Sequence, residues 1–407
     1  MVFASSDRGV FDVFGLGGPN GLPVPTEISA WSISAITASV NLLAGVVSWM
    51  PLEVYRRDAA FNADRDPEHP YRWLFNEQLA PRWSAAAGWE YMMASRLFHG
   101  DIFAKIKWSP TGEARAIVPW HPLRVEVTPT ADGDRLIYRF HPDPTIPAAL
   151  RGSQWKPEIL DQDDVLHVPG PGFDGVRSLS PLRHMLGMSG AVALATQNYS
   201  AEFFANSARP DYALVAPAGA NWSPEQRDLI RAELDRRHTV RGAAHRPMLL
   251  TGGVDVRQIS LPLEDIQMIA TRRFTVEEIA RAYGVPPFMI GDTEKTSSWG
   301  SGIAEMSAGF ARYTMRRHLA AIQDEFNRKL FRTSRVFVEF DTFELEKTDI
   351  KSLMQAFRMA LGRAGEDAFL TVDEVRAMLN RGPAPAGIRK ADPHAKPALQ
   401  PDPDERA

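Results

Sequence analysis

The segment with the most recognisable chemical pattern is a glycine-rich turn, Gly170–Gly175, with the sequence GPGFDG. It matches the G-x-G-x-x-G string that holds a dinucleotide pyrophosphate where a strand leads directly into a helix. Such a site also needs an acidic residue about twenty positions later to bind the ribose. Here the next helical pattern begins only near Pro181, and no Asp or Glu stands at that distance. The pattern favours an ordinary turn, and a nucleotide-binding enzyme is kept as a minor alternative.

A second segment has the pattern of a DNA reader. Val276–Pro286, VEEIARAYGVP, is similar to the first helix and turn of a helix-turn-helix motif, in which a recognition helix must follow. The residues that follow, Pro287–Gly291, are too few and too apolar to present side chains to a major groove. A helix-turn-helix regulator is therefore an alternative hypothesis, and the simpler interpretation is a helix end packed by apolar residues.

No other pattern predicts catalysis or metal binding. The chain has no cysteine, which excludes disulfides, iron–sulfur clusters, cysteine zinc sites and thiol nucleophiles. Its ten histidines include no H-E-x-x-H motif, and the nearest pair, His238 and His245, flanks a predicted loop. Neither a nucleophile elbow nor a P-loop occurs. The sequence predicts a protein that is not an enzyme and has no cofactor.

Charge and hydropathy restrict the partners. With 46 Lys and Arg against 50 Asp and Glu, the formal charge is −4, which argues against tight DNA binding by phosphate neutralisation. Ile28–Leu52 carries no charged residue and is long enough to span a bilayer. Within it, however, apolar residues recur at three- and four-residue steps with serines between them, at Ile33, Ile36, Val40, Leu43 and Val47. This spacing predicts an amphipathic helix and no membrane partner.

The predicted helices and strands that would position these segments indicate an α+β protein. A length of 407 residues, at about 150 residues per domain, predicts two to three domains. Residues 1–30 and 383–407 are rich in Gly, Pro and polar residues and are expected to be flexible tails. Alternating patterns predict strands at Leu52–Tyr55, Ile102–Lys107, Leu123–Val127, Leu136–Phe140, Val165–Val168 and Val336–Phe340. Helical spacing predicts helices at 83–98, Pro181–Ala208, Leu263–Tyr283, Ile303–Phe331, Asp349–Arg363 and Thr371–Asn380.

A small β-α-β unit is predicted between two of the long helices. Tyr212–Ala216 forms one strand, Ser223–Gln226 is a capping box that opens a helix through His238, and Met248–Leu261 holds two short strands. The unit carries a basic cluster made of Arg231, Arg236, Arg237 and Arg241. A solvated helix face and a partner surface explain this cluster equally well.

These elements, in this order and with several short strings, resemble the portal proteins of tailed double-stranded-DNA bacteriophages and of the related gene transfer agents. The strings are VNLLA (40–44), MPLEVY (50–55), LFHGD (97–101), DVLHV (164–168), FFANSARP (203–210), EIARAYGVPP (278–287) and LTVDEVR (370–376). Two positions depart from the family pattern: GDIF (100–103) stands where Gly-Asn-Ala-Tyr is usual, and Asp373 stands where Asn is usual. The resemblance covers roughly residues 30–382.

The resemblance implies a multi-domain portal fold assembled as a ring, a dodecamer, at one capsid vertex of a virion. Double-stranded DNA would pass non-specifically through the ring during packaging and ejection. The implied partners are the terminase large subunit, the major capsid protein and a head-completion or adaptor protein, with assembly in the cytoplasm of a bacterial host.

The resemblance also implies how the chain is divided into structural regions. The implied regions are a wing (31–178, with a return helix and strand at 304–345), two stem helices (179–210 and 261–283), a clip (211–260), a tunnel-loop region (284–303) and a crown (346–382). The tunnel loop that would line the DNA channel comprises Thr293, Glu294, Lys295, Thr296, Ser297, Ser298 and Trp299. The arginines of the basic cluster would then form a clip surface that contacts a partner.

Overall fold

The computed structural model describes residues 25–59, 62–142, 156–205, 212–215, 223, 225, 228, 255–258, 262–292, 301–331, 333, 335–342, 350–362, 368–379, 382 and 384. The chain divides into two compact units. The first unit contains Met1–Val40, Leu97–Gly100 and Ser178–Tyr283, and the second contains Asn41–Arg96, Asp101–Arg177 and Gly284–Ala407.

The described α-helices are α1 (Glu27–Trp31), α2 (Ser34–Trp49), α3 (Pro70–Asn76), α4 (Ala85–His99), α5 (Pro181–His184), α6 (Gly187–Ala205), α7 (Pro262–Tyr283), α8 (Ser301–Gly309), α9 (Arg316–Phe326), α10 (Ile350–Ala360) and α11 (Val372–Met378). Two π-helical segments, Phe310–Met315 and Asn327–Phe331, join and extend α8 and α9. Together they form the single long helix that the sequence predicts for this region.

The described strands are β1 (Leu52–Arg57), β2 (Ala63–Arg65), β3 (Gln78–Ala80), β4 (Trp83–Ser84), β5 (Ile102–Trp108), β6 (Ala114–Trp120), β7 (Val125–Pro129), β8 (Leu136–Phe140), β9 (Glu158–Asp161), β10 (Val165–Val168), β11 (Tyr212–Val215), β12 (Asp255–Gln258) and β13 (Val336–Phe340). The second unit contains three three-stranded sheets, ordered β13-β1-β2, β10-β5-β6 and β7-β8-β9, and the short pair β3-β4. The first unit contains the antiparallel pair β11-β12. The α+β prediction is confirmed.

The uncharged segment near the start of the chain forms two helices, α1 and α2. All five residues of the predicted apolar stripe are buried: Ile33, Ile36, Val40, Leu43 and Val47. Ile33 lies in the bend between the two helices and the other four lie on α2, so the prediction of an amphipathic helix is confirmed for α2. Among the described residues, no helix combines the length and the apolar character needed to cross a bilayer.

The sheets of the second unit enclose its core. Phe103, Tyr138, Phe140, Val125 and Val165 form one buried cluster between β5, β7, β8 and β10. Burying each such large side chain contributes about 1.5–3 kcal/mol relative to leaving it exposed. This cluster fixes the two sheets β10-β5-β6 and β7-β8-β9 against each other.

Local signals set several helix ends as predicted. Thr371 and Glu374 form the capping box of α11, with the Thr371 amide donating to Glu374 Oε2 at 2.6 Å and the Glu374 amide donating to Thr371 Oγ1 at 3.2 Å. The C-terminal end of α7 is set by Gly284, whose φ of +68° is the left-handed conformation that commonly ends a helix.

Three local features differ from the prediction. The helix predicted over Pro181–Ala208 is interrupted between α5 and α6, where Gly187 lowers helix propensity. The strand predicted from Leu123 begins at Val125, because His121 Nδ1 accepts from the Leu123 amide and caps a 3₁₀ turn at Pro122–Arg124. The sequence analysis did not predict the strands β2, β3, β4, β6 and β9 or the short helix α3.

Candidate functional site

The residues predicted to act on DNA or on partners fall outside the described part of the chain. This holds for the tunnel loop, Thr293–Trp299, and for the basic cluster of Arg231, Arg236, Arg237 and Arg241. Most of the helix predicted after Ser223 lies outside it as well. Their roles therefore stay predictions.

The glycine-rich turn is a side-chain-capped turn, as favoured from the sequence. Asp174 Oδ1 accepts from the backbone amides of Val176 at 2.9 Å and of Arg177 at 2.8 Å. These hydrogen bonds lower the pKa of the Asp174 carboxyl. Amides that would have to bind a phosphate are thus occupied by the chain's own carboxylate, and no helix begins at this turn. The nucleotide-binding alternative is not favoured.

The helix-turn-helix alternative is not favoured either. After α7 the described chain forms one 3₁₀ turn, Pro287–Ile290, which ends at Gly291 in a left-handed conformation. The next described helix begins only at Ser301. A single turn is too short to serve as a recognition helix in a major groove.

A buried polar network in the second unit was not anticipated. Asp101, at the start of β5, has no exposed surface. Its Oδ2 accepts from Arg177 Nε at 2.9 Å, and its Oδ1 lies 3.3 Å from His167 Nε2 on β10. Since a carboxylate only accepts, His167 donates to Asp101 from Nε2. Asp101 is also one of the positions where the sequence departs from the family pattern.

The network continues from His167 to a second sheet and a helix. Tyr138 on β8 hydrogen-bonds to His167 Nδ1 at 3.1 Å, and burial raises the pKa of the Tyr138 hydroxyl. The backbone amide of His167 donates to Glu325 Oε1 on α9 at 3.1 Å. The other oxygen of Glu325 accepts from Arg328 at 2.6 Å.

An aspartate–histidine–hydroxyl chain can move protons in an enzyme when a substrate reaches it. Here Asp101, His167 and Tyr138 are all buried, with 0%, 4% and 2% of their surface exposed. The ring of His167 also stacks on Phe103 at a centroid distance of 4.5 Å. This arrangement joins two sheets and a helix by satisfied hydrogen bonds, which is a structural role.

Arg177 connects the network to the glycine-rich turn. Its Nη1 donates to the carbonyl of Val125 at 2.8 Å, and its guanidinium lies 4.8 Å from the centroid of the Phe103 ring. One side chain thus holds the turn against the start of β7 and the core. Asp101 departs from the family pattern and could have drawn attention to this position from the sequence alone. Its partner Arg177, however, stands 76 positions later, so spacing along the chain could not have identified the pair.

The first unit presents apolar residues to solvent on its two long helices. On α6 and the turn before it, Met185, Met188 and Tyr199 have 48%, 57% and 46% of their surface exposed. On α7, Phe274 is 56% exposed. The helices nevertheless contact each other, since Ser189 donates to Glu278 Oε2 at 2.8 Å. The apolar face predicted on α6 is therefore only partly covered within one protomer.

Gly100 in the LFHGD string is required by close packing within the first unit. Its φ is +94°, and a Cβ built there would lie 2.4 Å from the carbonyl oxygen of Leu179. The same contact region includes Ser180, whose hydroxyl donates to the Phe98 carbonyl at 2.7 Å. Both the backbone conformation and the close approach exclude a side chain at this position.

Comparison with solved structures defines the class of fold. A chain of the virion of a native gene transfer agent particle superposes with a TM-score of 0.60 at 22% identity, covering 88% of this chain and 95% of that one. A chain in the neck of such a particle, computed with C12 symmetry, gives 0.59 at 22% identity and covers 88% and 92%. The crystal structure of an HK97 family phage portal protein from Corynebacterium diphtheriae gives 0.55 at 17% identity, covering 82% and 98%. The fold is that of portal proteins.

Comparison of amino-acid sequences leads to the same family as the comparison of structures. The profile of the family described as "Phage portal protein" matches residues 34–380. The "Probable portal protein" of Streptomyces phage phiC31 is 30% identical over an alignment of 386 residues that covers 89% of this chain and 78% of that protein. The "Portal protein" of Enterobacteria phage HK97 is 28% identical over an alignment of 359 residues that covers 87% of this chain and 80% of that protein. The chain belongs to the phage portal protein family, and the resemblance stated from the short strings is confirmed.

Proposed function

We propose that this chain forms a closed ring at one vertex of a virus-like capsid, through which double-stranded DNA enters and leaves. The observation that carries the proposal is the partly uncovered apolar face of α6 and α7 in a chain of this family. Exposed apolar residues on two long helices gain burial when a neighbouring copy packs against them, and a head-to-tail contact that closes yields a cyclic oligomer. The C12 neck of the gene transfer agent supports a dodecamer.

The proposed division of labour follows the one implied by the resemblance. The wing comprises residues 31–178 and 304–345, the stem residues 179–210 and 261–283, and the clip residues 211–260. The tunnel-loop region, 284–303, faces the channel, and the crown, 346–382, completes the protomer. The ring itself performs no chemistry, and its net acidic charge suits a conduit because a channel that held phosphates tightly would retain DNA.

Different regions serve different partners in this proposal. The clip, with Arg231, Arg236, Arg237 and Arg241, docks first the terminase large subunit and then an adaptor protein. The wing contacts the major capsid protein. Assembly takes place in the bacterial host cytoplasm, and the finished ring belongs to the virion.

Ring formation is the first test. Multi-angle light scattering of the full chain at micromolar concentration, alone and co-expressed with capsid protein, should give a mass of about 540 kDa for twelve copies of 45.3 kDa. Tyr199→Ser combined with Phe274→Ser should shift the mass toward the protomer, because it removes apolar area from the exposed face. The matched control, Tyr199→Leu with Phe274→Leu, keeps that area and should still form rings. Only monomers or dimers from the unmodified chain in both settings would contradict the proposal.

The tunnel loop is the second test. Trp299→Ala, or deletion of Lys295–Ser298, should leave the ring mass unchanged and lower the amount of DNA per particle, because the loop loses the residues that would contact passing DNA. Trp73→Ala, at a 57% exposed tryptophan of the second unit, serves as the matched control. Particles of the Trp299→Ala variant that fill and retain DNA like the unmodified ones would exclude this role.

A further inference from the structure

The long helix of the second unit carries a cluster of exposed cationic residues, which we call the arginine patch. It consists of Arg312, Tyr313, Arg316 and Arg317, and all four are exposed, Tyr313 to 75%. No Asp or Glu occurs in the sequence between Glu305 and Asp324. Within the described part of the chain, no carboxylate lies within ion-pair distance of the three guanidinium groups.

The spacing of the patch is regular. Arg312 and Arg316 are four residues apart, as are Tyr313 and Arg317. Arg312 and Tyr313 lie in the π-helical segment Phe310–Met315, and Arg316 and Arg317 begin α9. The patch is therefore two adjacent pairs of side chains on one continuous helix, and its three guanidinium groups are permanently charged.

The positive charge continues beneath the surface. Arg96 is only 3% exposed, and its guanidinium donates to two neutral carbonyls, Pro169 O at 2.9 Å and His318 O at 3.3 Å. Burial and then the charge of Arg317 lower the pKa of Arg96 to about 10. Burial, Arg96 and Arg317 lower the pKa of His318 to about 3. A further cation, Arg96, thus lies beneath the patch, where it interacts with the charge of Arg317 and with the buried carboxylate of Asp101.

We propose that the arginine patch binds the phosphodiester backbone of double-stranded DNA. This inference rests on the proposed function, which brings DNA to the protein. Guanidinium groups bind phosphate oxygens in a bidentate manner, and tyrosine hydroxyls are regular phosphate donors. The patch offers no amide or carboxylate to read base edges, so the contact is independent of sequence.

Charge distribution favours DNA over an acidic protein surface. The whole chain is acidic, at −4, yet this stretch of helix has three arginines and no carboxylate. A phosphate backbone supplies only hydrogen-bond acceptors, which matches a surface whose arginines only donate. An acidic protein partner remains as one of the outcomes that the experiment separates.

The test is salt-dependent DNA binding by the full chain. Fluorescence anisotropy with two unrelated duplexes of about 30 base pairs, from 25 to 200 mM NaCl, gives the slope of log K against log salt, which is about −0.9 per neutralised phosphate. The triple variant Arg312→Ala, Arg316→Ala and Arg317→Ala should make the slope shallower by about 2–3 and should do so equally on both duplexes. Tyr313→Phe should weaken binding slightly without changing the slope.

The matched control removes the same charge elsewhere. Arg82→Ala, Arg115→Ala and Arg358→Ala replace three exposed arginines outside the patch and should leave the slope nearly unchanged. If the slope changed equally in the patch variant and in the control variant, the effect would be one of net charge alone, and the proposal would be overturned. Unchanged DNA binding by the patch variant would overturn the proposal: with a loss of ring mass it would favour a contact between protein copies, and with an unchanged ring mass it would favour an acidic protein partner. Ring mass is read separately by light scattering, so failure of the patch and failure of the proposed function are distinguishable.

Discussion

Asp101→Ala is expected to lower the free energy of unfolding by about 3–5 kcal/mol, the usual cost of removing one partner of a buried ion pair. The carboxylate has no exposed surface and is held by Arg177 Nε at 2.9 Å and His167 Nε2 at 3.3 Å. Its removal leaves Arg177 Nε, on a side chain that is 26% exposed, and the ring N–H of the buried His167 without their carboxylate acceptor. Chemical denaturation of the purified protein, followed by tryptophan fluorescence, measures the loss.

Two further variants separate charge from shape. Asp101→Asn introduces the residue usual in the family and should cost less, about 1–3 kcal/mol, because the amide oxygen still accepts one hydrogen bond. Asp134→Ala, at an exposed position of the same unit, should change stability by less than about 0.5 kcal/mol. A loss below about 1 kcal/mol for Asp101→Ala would show that the network does not stabilise the fold.

Acid should destabilise the protein through His318. Its pKa is lowered from 6.5 to about 3, first by burial and then by Arg96 and Arg317. Between these values the unfolded chain binds a proton that the folded chain does not, so stability is fully present above pH 6.5 and falls as the pH decreases toward 3. The contribution is about 1.4 kcal/mol per pH unit, and about 4–5 kcal/mol over the whole window.

His318→Gln should remove this part of the acid sensitivity. The comparison is the free energy of unfolding of the two proteins at pH 7, 6, 5 and 4, where carboxylates affect both equally and the difference isolates the imidazole. Parallel curves for His318→Gln and the unmodified chain would show that folding does not lower the pKa of His318.

Local sequence determined most of the long elements. The apolar stripe from Ile33 to Val47 predicts α2 because its period matches that of a helix and every member is buried. The end of α7 at Gly284 and the capping box of α11 follow from residues within one turn of the helix end. Family membership was also accessible, because the short strings occur in a fixed order along the chain.

The interruption before α6 was harder to predict, since it depends on small differences in propensity around Gly187. The strands β2 and β9 are short, with three and four residues, whereas β6 spans seven residues, Ala114–Trp120. Their pairing with β1, β5 and β8 gives them the stability that their own sequences lack.

Tertiary structure alone decided which side chains meet. Asp101, Tyr138, His167 and Glu325 come from four separate elements, and periodicity within any one of them cannot show that they share hydrogen bonds. The same holds for Arg96, which becomes a buried cation beneath the arginine patch only because α4 packs near α9. Sequence patterns report on neighbours along the chain, whereas the energy of a buried charge depends on groups brought from far away by folding.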